Sequence, residues 1–262
     1  MKIPFLLLIL LFSASAGYTG GLGISEPFGE DPVTIKLDKA QDYFDNGNEN
    51  AALQLYLSVL MDEPSHYEAL WNTSLLYTRK GRRQPTYEAQ SQFYKIAREF
   101  AQLAMDEHPE KPRSHYVYGV SSLGLADDMP NSSERIQLIW DVKEHGEKAL
   151  KMDPGYAPAW HLMGVWHSNM ANIGRGQRLG ARILYGSLPD GSNEKAEQYL
   201  KKAIELDPSV ILFKLDLAQH YHENNRGEKA IPILESILEM QVVSENDYID
   251  MIEAQQRYDQ LM

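Results

Sequence analysis

Four segments of this chain end in the same way, and that repetition constrains the fold more than any other feature. "ALQLYLSVLMDEP" closes at Pro64, "AREFAQLAMDEHP" at Pro109, "VKEHGEKALKMDP" at Pro154 and "AEQYLKKAIELDP" at Pro208. Each reads as an amphipathic helix with a small or apolar residue twelve, eight and five places before its proline. These are Ala97, Ala101 and Ala104 before Pro109, and Ala196, Leu200 and Ala203 before Pro208. Proline has no N–H to give to the preceding turn and disfavours helix in the residue before it, so each helix must stop there.

A second kind of helix follows each proline, with a large, then small, then aromatic or polar series. "APAWHLMGVWH" supplies Trp160, Gly164 and His167, and "HYVYGVSS" supplies His115, Gly119 and Ser122. Lys214, Ala218 and Tyr221, then Leu70, Ser74 and Tyr77, then Lys36, Ala40 and Tyr43 repeat it. The small residue lets two helices approach closely, and the residue three along fills the gap beside it. In the first copy Ala40, Tyr43, Gly47, Ala52, Tyr56 and Pro64 all fall in register. This pattern resembles the tetratricopeptide repeat. The expected fold is all-α: a right-handed superhelical array of five helical hairpins over residues 33–242, with residues 243–262 as a C-terminal capping helix.

The array is irregular. The prolines stand 45 residues apart from 64 to 109, 45 from 109 to 154 and 54 from 154 to 208. Against a period of about 34, two repeats carry roughly eleven extra residues and one carries roughly twenty. The extras fall between the two helices of a hairpin, at "RKGRRQPTYEAQ", "LADDMPNSSERIQ" and "GRGQRLGARILYGSLPDGSN". The first two read as tolerated surface loops, because lengthening a loop costs little entropy. The third spans residues 174–193 and is expected to hold a short extra helix on Leu179, Ile183 and Leu184, then a turn, with Asp190 and Ser192 as caps before the helix starting near Asn193.

Around that third insert a narrower likeness stands out. Gly164, Trp166, Arg178, Ala181, Leu184, Pro189, Glu194, Lys195, Ala196, Ala203 and Pro208 match a pattern that resembles the regulator of microtubule dynamics family over about residues 140–240. The resemblance implies a stacked tetratricopeptide-like domain acting as an adaptor and not as an enzyme. One departure limits it. "IPFLLLILLF" after Lys2, ending in "SASA", reads as a secretory signal peptide over residues 1–16, cleaved after Ala16. An uncleaved anchor is the alternative, although the apolar run is shorter than the roughly twenty residues that span a bilayer. Residues 17–32, rich in Gly and Pro, read as a flexible leader. An exported chain, periplasmic or secreted, meets no microtubules, so the fold carries over and the microtubule role does not.

Composition narrows the function further. There is no Cys, so no disulfide frame and no thiol chemistry are available. The formal net charge of −12 repels nucleic acid and anionic lipid at long range, and neither is expected as a partner, nor is a membrane once the signal is removed. The eight histidines lack the i, i+4 spacing of a helical metal pair, and no Gly-x-Ser-x-Gly or phosphate loop occurs. No catalytic residue, cofactor or metal is expected.

Binding remains. Carried over from the tetratricopeptide pattern, the first helix of each hairpin lines a concave, apolar groove. Its candidates are Trp71, Leu75, Tyr116, Val120, His161, Val165, Leu215 and Gln219. Such a groove suits a protein or an amphipathic peptide read as spaced anchors. The occupant can equally be read as the chain's own "SENDYIDMIEAQQRYDQLM", which opens with a Ser-x-x-Asp cap and spaces Tyr248, Met251 and Ile252 as a helix does. Simple capping of the array is the alternative for that segment. A second reading makes the protein a small-ligand or solute binder using the groove and the insert's Arg175, Arg178 and Arg182 over 174–185, which share a helix face and suit an anion. Against it, those arginines can simply pair with acids such as Glu194 or Glu197.

Overall fold

The computed structural model describes residues 31–127 and 129–262. The expected signal peptide, and the leader up to residue 30, lie outside the described residues. Among the described residues there are twelve helices and no strand. They are α1 (Pro32–Asp45), α2 (Glu49–Asp62), α3 (Tyr67–Arg82), α4 (Tyr87–Glu107), α5 (Pro112–Asp127) and α6 (Ser133–Met152), then α7 (Ala157–Asn172), α8 (Arg175–Leu184), α9 (Asn193–Leu206), α10 (Ile211–Glu223), α11 (Gly227–Leu238) and α12 (Glu245–Leu261). The protein is an all-α tetratricopeptide-like solenoid. Helices α1, α3, α5, α7 and α10 are the first, or A, helices of five hairpins; α2, α4, α6, α9 and α11 are their B partners.

Local chemistry sets the helix ends. Helices α2, α4, α6 and α9 all stop two residues before their proline. The intervening Glu63, His108, Asp153 and Asp207 take φ of −130°, −136°, −138° and −143°, the extended backbone that a following proline demands. The same four helices begin at Asn48, Thr86, Ser132 and Ser192. Each side-chain oxygen accepts the N–H three residues on, at Ala51, Ala89, Arg135 and Lys195. Four orphan helical donors are thereby satisfied.

The repeated small residues lie where the helices meet. Ala52, Tyr56 and Val59, then Ala97, Ala101 and Ala104, then Val142, Gly146 and Ala149, then Ala196, Leu200 and Ala203 are all buried. So are Ala40, Ser74, Gly119, Gly164 and Ala218 on the A helices. Ser74 keeps its hydroxyl in this dry contact by donating to the Ala97 carbonyl at 2.8 Å. The largest core cluster runs through α4, α5, α6 and α7 and centres on Leu162, Met163 and Trp166.

The three extra segments behave differently from one another. Those of repeats two and three are mostly additional helix and not loops. Helix α4 has 21 residues and α6 has 20, against 14 for α2 and α9. Thr86 and Ser132 start these B helices early, so only short links separate them from α3 and α5. In repeat four the extra residues do leave the hairpin: they form α8 and the segment that leads to the Ser192 cap.

Candidate functional site: the A-helix face and its seam

The A helices form one row. Helix α3 touches α5, α5 touches α7, α7 touches α10, and α10 touches α12. The sequence candidates sit along that row. Trp71 and Leu75 on α3, Val120 on α5, His161 and Val165 on α7 and Gln219 on α10 are half-buried. Tyr116 and Leu215 are not open positions: they are 7% and 1% exposed and belong to the core. Burial pushes the Tyr116 hydroxyl up to about 12, so it stays neutral. The Arg113 guanidinium lies over the rings of Trp71 and Tyr156, at 5.2 and 4.9 Å from their centroids. His161 reaches across to Asp216 at 2.6 Å and stacks on Phe213. The face therefore combines aromatic area with charge.

The insert arginines divide. Arg178 turns inward and donates to the backbone carbonyls of Met170 and Pro189, and to Asp190 at 3.4 Å. It fastens the insert to the end of α7, and so is not part of a shared anion-binding face. The side chains of Arg175 and Arg182 make no hydrogen bond or ion pair among the described residues, and neither pairs with Glu194 or Glu197. Glu197 instead holds Lys201 and Arg226 at 2.6 Å each and accepts from Tyr221. Burial pushes its carboxyl up, but those three partners outweigh burial and hold it at about 2. The apolar residues Leu179, Ile183 and Leu184 of α8 are exposed beside Arg175 and Arg182.

The feature that sequence reasoning missed is a seam between the two ends of the array. Helix α12 begins with a capping box, Ser244 accepting from the Asp247 N–H and Asp247 from the Ser244 N–H. Its inward residues are Asn246, Asp250 and Ala254. Of the three spaced residues expected there, Met251 is half-buried while Tyr248 and Ile252 are exposed. Asp250 pairs with Arg82 at the end of α3. Arg83 pairs with Glu245 at 3.3 Å, Arg79 donates to Ser244 at 3.1 Å, and Asn246 donates to Glu49 at 3.2 Å. Glu49, at the start of α2, also holds Arg79 at 2.5 Å and Arg83. Burial raises the Glu49 carboxyl, yet Arg79 and Arg83 outweigh it and leave it lowered. For Asp250 burial wins over Arg82, and its carboxyl is raised. The A row thus closes on itself, from α3 through α5, α7, α10 and α12 back to α3. The visible signal was "RKGRR" at 79–83, four cations in five residues of an acidic chain.

Two histidine sites, with His115 and His167 buried and His145 half-buried, complete the electrostatics. His115 Nδ1 lies 3.0 Å from His145 Nδ1. Burial, and then the neighbouring His115, hold His145 down at about 4. Burial does the same to His167, also about 4. Among the described residues no three His, Cys, Asp or Glu side chains are grouped to hold a metal ion, and no helix is long and apolar enough to cross a membrane.

Comparison with known proteins fits this architecture. A thermophilic tetratricopeptide-repeat protein of Thermus thermophilus superposes with a TM-score of 0.62 at 18% identity, covering 87% of this chain and 98% of that one, which establishes the fold. Regulator of microtubule dynamics protein 1 of Bos taurus is 26% identical over 174 residues, 66% of this chain and 54% of its own length. The Homo sapiens protein 1 is 32% identical over 113 residues, 43% and 36% respectively. Protein 3 of Rattus norvegicus is 23% identical over 237 residues, 89% and 50%. The chain spans about half or less of the length of these relatives. Two residues of the pattern read in the sequence have visible structural work: Trp166, whose indole donates to the Ile139 carbonyl, and Arg178, which anchors the insert. The family model of regulator of microtubule dynamics protein 1-3 matches residues 36–262, from the first A helix to the end of α12, and the chain belongs to that family.

Proposed function

We propose that this protein is a non-catalytic scaffold whose A-helix face receives a helical segment of another protein. One observation carries the reading: Trp71, Leu75, Val120, His161 and Val165 stand half-buried along one continuous row of A helices. Aromatic and aliphatic anchors beside charged groups suit an amphipathic helix better than an extended strand, because the row offers no free sheet edge. A photo-crosslinking residue at Trp71 or at Val120 is expected to capture one and the same protein, and the same residue at Met61, exposed at the end of α2, to capture none. Equal capture from Met61, or none from either face position, would overturn the reading.

Export belongs to the same proposal and rests on the sequence of residues 1–16. The mature protein is expected to begin at Gly17 on N-terminal sequencing. An intact Met1 in the membrane fraction would favour the anchor.

A second reading, a small-ligand protein, has one observation in its favour. A cleft of about 520 Å³ opens between the ends of α5, α7 and α10, lined by Leu123, Ile139, Asn169, Met170 and Glu223. The insert reaches it only through Gln177, and Arg175, Arg178 and Arg182 do not line it. A solute bound there would raise the melting temperature, and filling the cleft with Asn169→Leu would abolish that rise.

A further inference from the structure

The seam is built unlike the rest of the molecule. Apolar clusters join each hairpin to the next, but among the described residues none contains side chains from both α1–α3 and α12. The first cluster ends with Leu76 and Tyr77, and α12 contributes Ala254, Met251, Tyr258 and Leu261 only to the cluster of α10 and α11. Among the described residues, ion pairs and hydrogen bonds join α12 to α2 and α3, beside a close backbone approach of Gly47 to the Val243–Ser244 link. The basic side is rigidly presented. Glu49 belongs to α2 and fixes Arg79 and Arg83 from within the first hairpins, at 5% exposure. What α12 adds is the carboxylate of Asp250 on Arg82, that of Glu245 on Arg83 and the Asn246 amide, which donates to Glu49. Those two acids stand five residues apart and just over one helical turn, at the start of a helix whose first-turn acids also favour its own dipole.

We propose that Arg79, Arg82 and Arg83 form a docking site for the first turns of an acidic helix, which α12 occupies in this structure and an acidic helical segment of a partner protein occupies in its place. Two features support an exchangeable occupant. The contact is polar, so separating it exposes little apolar surface, in contrast to the apolar joints between hairpins. Displacing α12 would leave Arg82 without its carboxylate, and a planar guanidinium fork is best answered by another carboxylate. Helix α12 stays anchored to the last hairpin by Ala254, Met251, Tyr258 and Leu261 when its first turns are displaced. The inference rests on the scaffold reading but uses a different surface from Trp71 and Val120, so each can fail alone.

The test is binding of a fluorescent peptide with the sequence of residues 244–255, SENDYIDMIEAQ, to the full chain, read by anisotropy at fixed salt. A control peptide replaces its Glu and Asp by Gln and Asn. The wild type is expected to bind the acidic peptide weakly, and Asp250→Asn, which removes the internal carboxylate, to bind it at least ten-fold more tightly. Adding Arg82→Gln should abolish that gain, and the neutral peptide should not bind. Should Asp250→Asn fail to fold, Glu245→Gln carries the test, with a gain of about three-fold, because that acid is largely exposed. Equal binding by wild type and variants, or binding of the neutral peptide, would overturn the proposal. Concentration-dependent dimers of Asp250→Asn by light scattering would also overturn it, by naming a second copy's α12 as the occupant. Acidic-peptide binding without crosslinks from Trp71 would sink the face reading and leave this one standing.

Discussion

Gly164 on α7 lies directly against Leu200 on α9. A Cβ placed on Gly164 would stand 2.7 Å from Leu200 Cγ and 3.0 Å from its backbone nitrogen. The two helices can approach this closely only because residue 164 has no side chain. Gly164→Leu is expected to destabilise the protein by about 1–3 kcal/mol or more, through overpacking of a dry contact. Thermal melting checks this, and an unchanged midpoint would refute the close-packed joint.

Arg178 and its neighbours in the insert should separate cleanly. Arg178→Ala leaves the carbonyls of Met170 and Pro189 without their donor and is expected to cost about 1–2 kcal/mol. Hydrogen exchange across residues 174–192 should quicken about ten-fold. Arg175→Ala and Arg182→Ala, at exposed positions without partners, should stay within about 0.5 kcal/mol of wild type. Equal effects at all three would contradict the inward role of Arg178.

Stability should fall in mild acid. His145 and His167 both take their protons near pH 4 in the folded chain, against an ordinary value of 6.5. Between pH 6.5 and 4 the unfolded state therefore binds more protons than the folded one, and each step down in pH favours unfolding. The stability is complete above pH 6.5 and lost as pH falls toward 4. The melting temperature is expected to drop by about 10 °C from pH 7 to pH 4.5. Glu197 has the same sign but acts lower, because its carboxyl remains charged down to about pH 2 in the folded state. A flat profile from pH 7 to pH 5 would exclude the histidine account.

Gly47 provides a stability handle on the seam itself. Its φ is +76°, and a Cβ there would fall 2.1 Å from the Val243 carbonyl oxygen. Gly47→Ala combines left-handed strain with a collision against the link before α12, and should cost about 2 kcal/mol or more. Exchange should quicken at residues 242–250 well before it does in α5–α7. Uniform loosening of the whole array would argue against a separable seam.

The parts legible in the sequence were those with a local cause. Pro64, Pro109, Pro154 and Pro208 stop helices by chemistry within one turn, and Ala101 or Leu200 is buried because the period of a helix puts it inward. The short helix at 175–184 and the Ser192 cap follow from the same short-range rules. The extra residues of repeats two and three misled because length alone does not distinguish a loop from additional helical turns. Thr86 and Ser132, as caps, were the deciding residues. Register alone places Tyr116 and Leu215 on the open face, but both lie inside core clusters, covered by neighbouring helices. The seam left almost no trace, because Glu49 and Asn246 are 197 residues apart and their attraction is polar, without the periodicity that marks an apolar face. Only the density of cations in "RKGRR" marked it, and in a single sequence such a run reads as solvated surface.

The closure of the row has a consequence for synthesis. An open solenoid can consolidate repeat by repeat as it leaves the ribosome, each unit needing only the one before. Here Arg82 waits for Asp250, so the second hairpin leaves the exit tunnel long before its own electrostatic partner has been translated. A chain that stops short of residue 250 lacks the Asp250 carboxylate on Arg82, so the second hairpin gains this contact only after the last helix has been made.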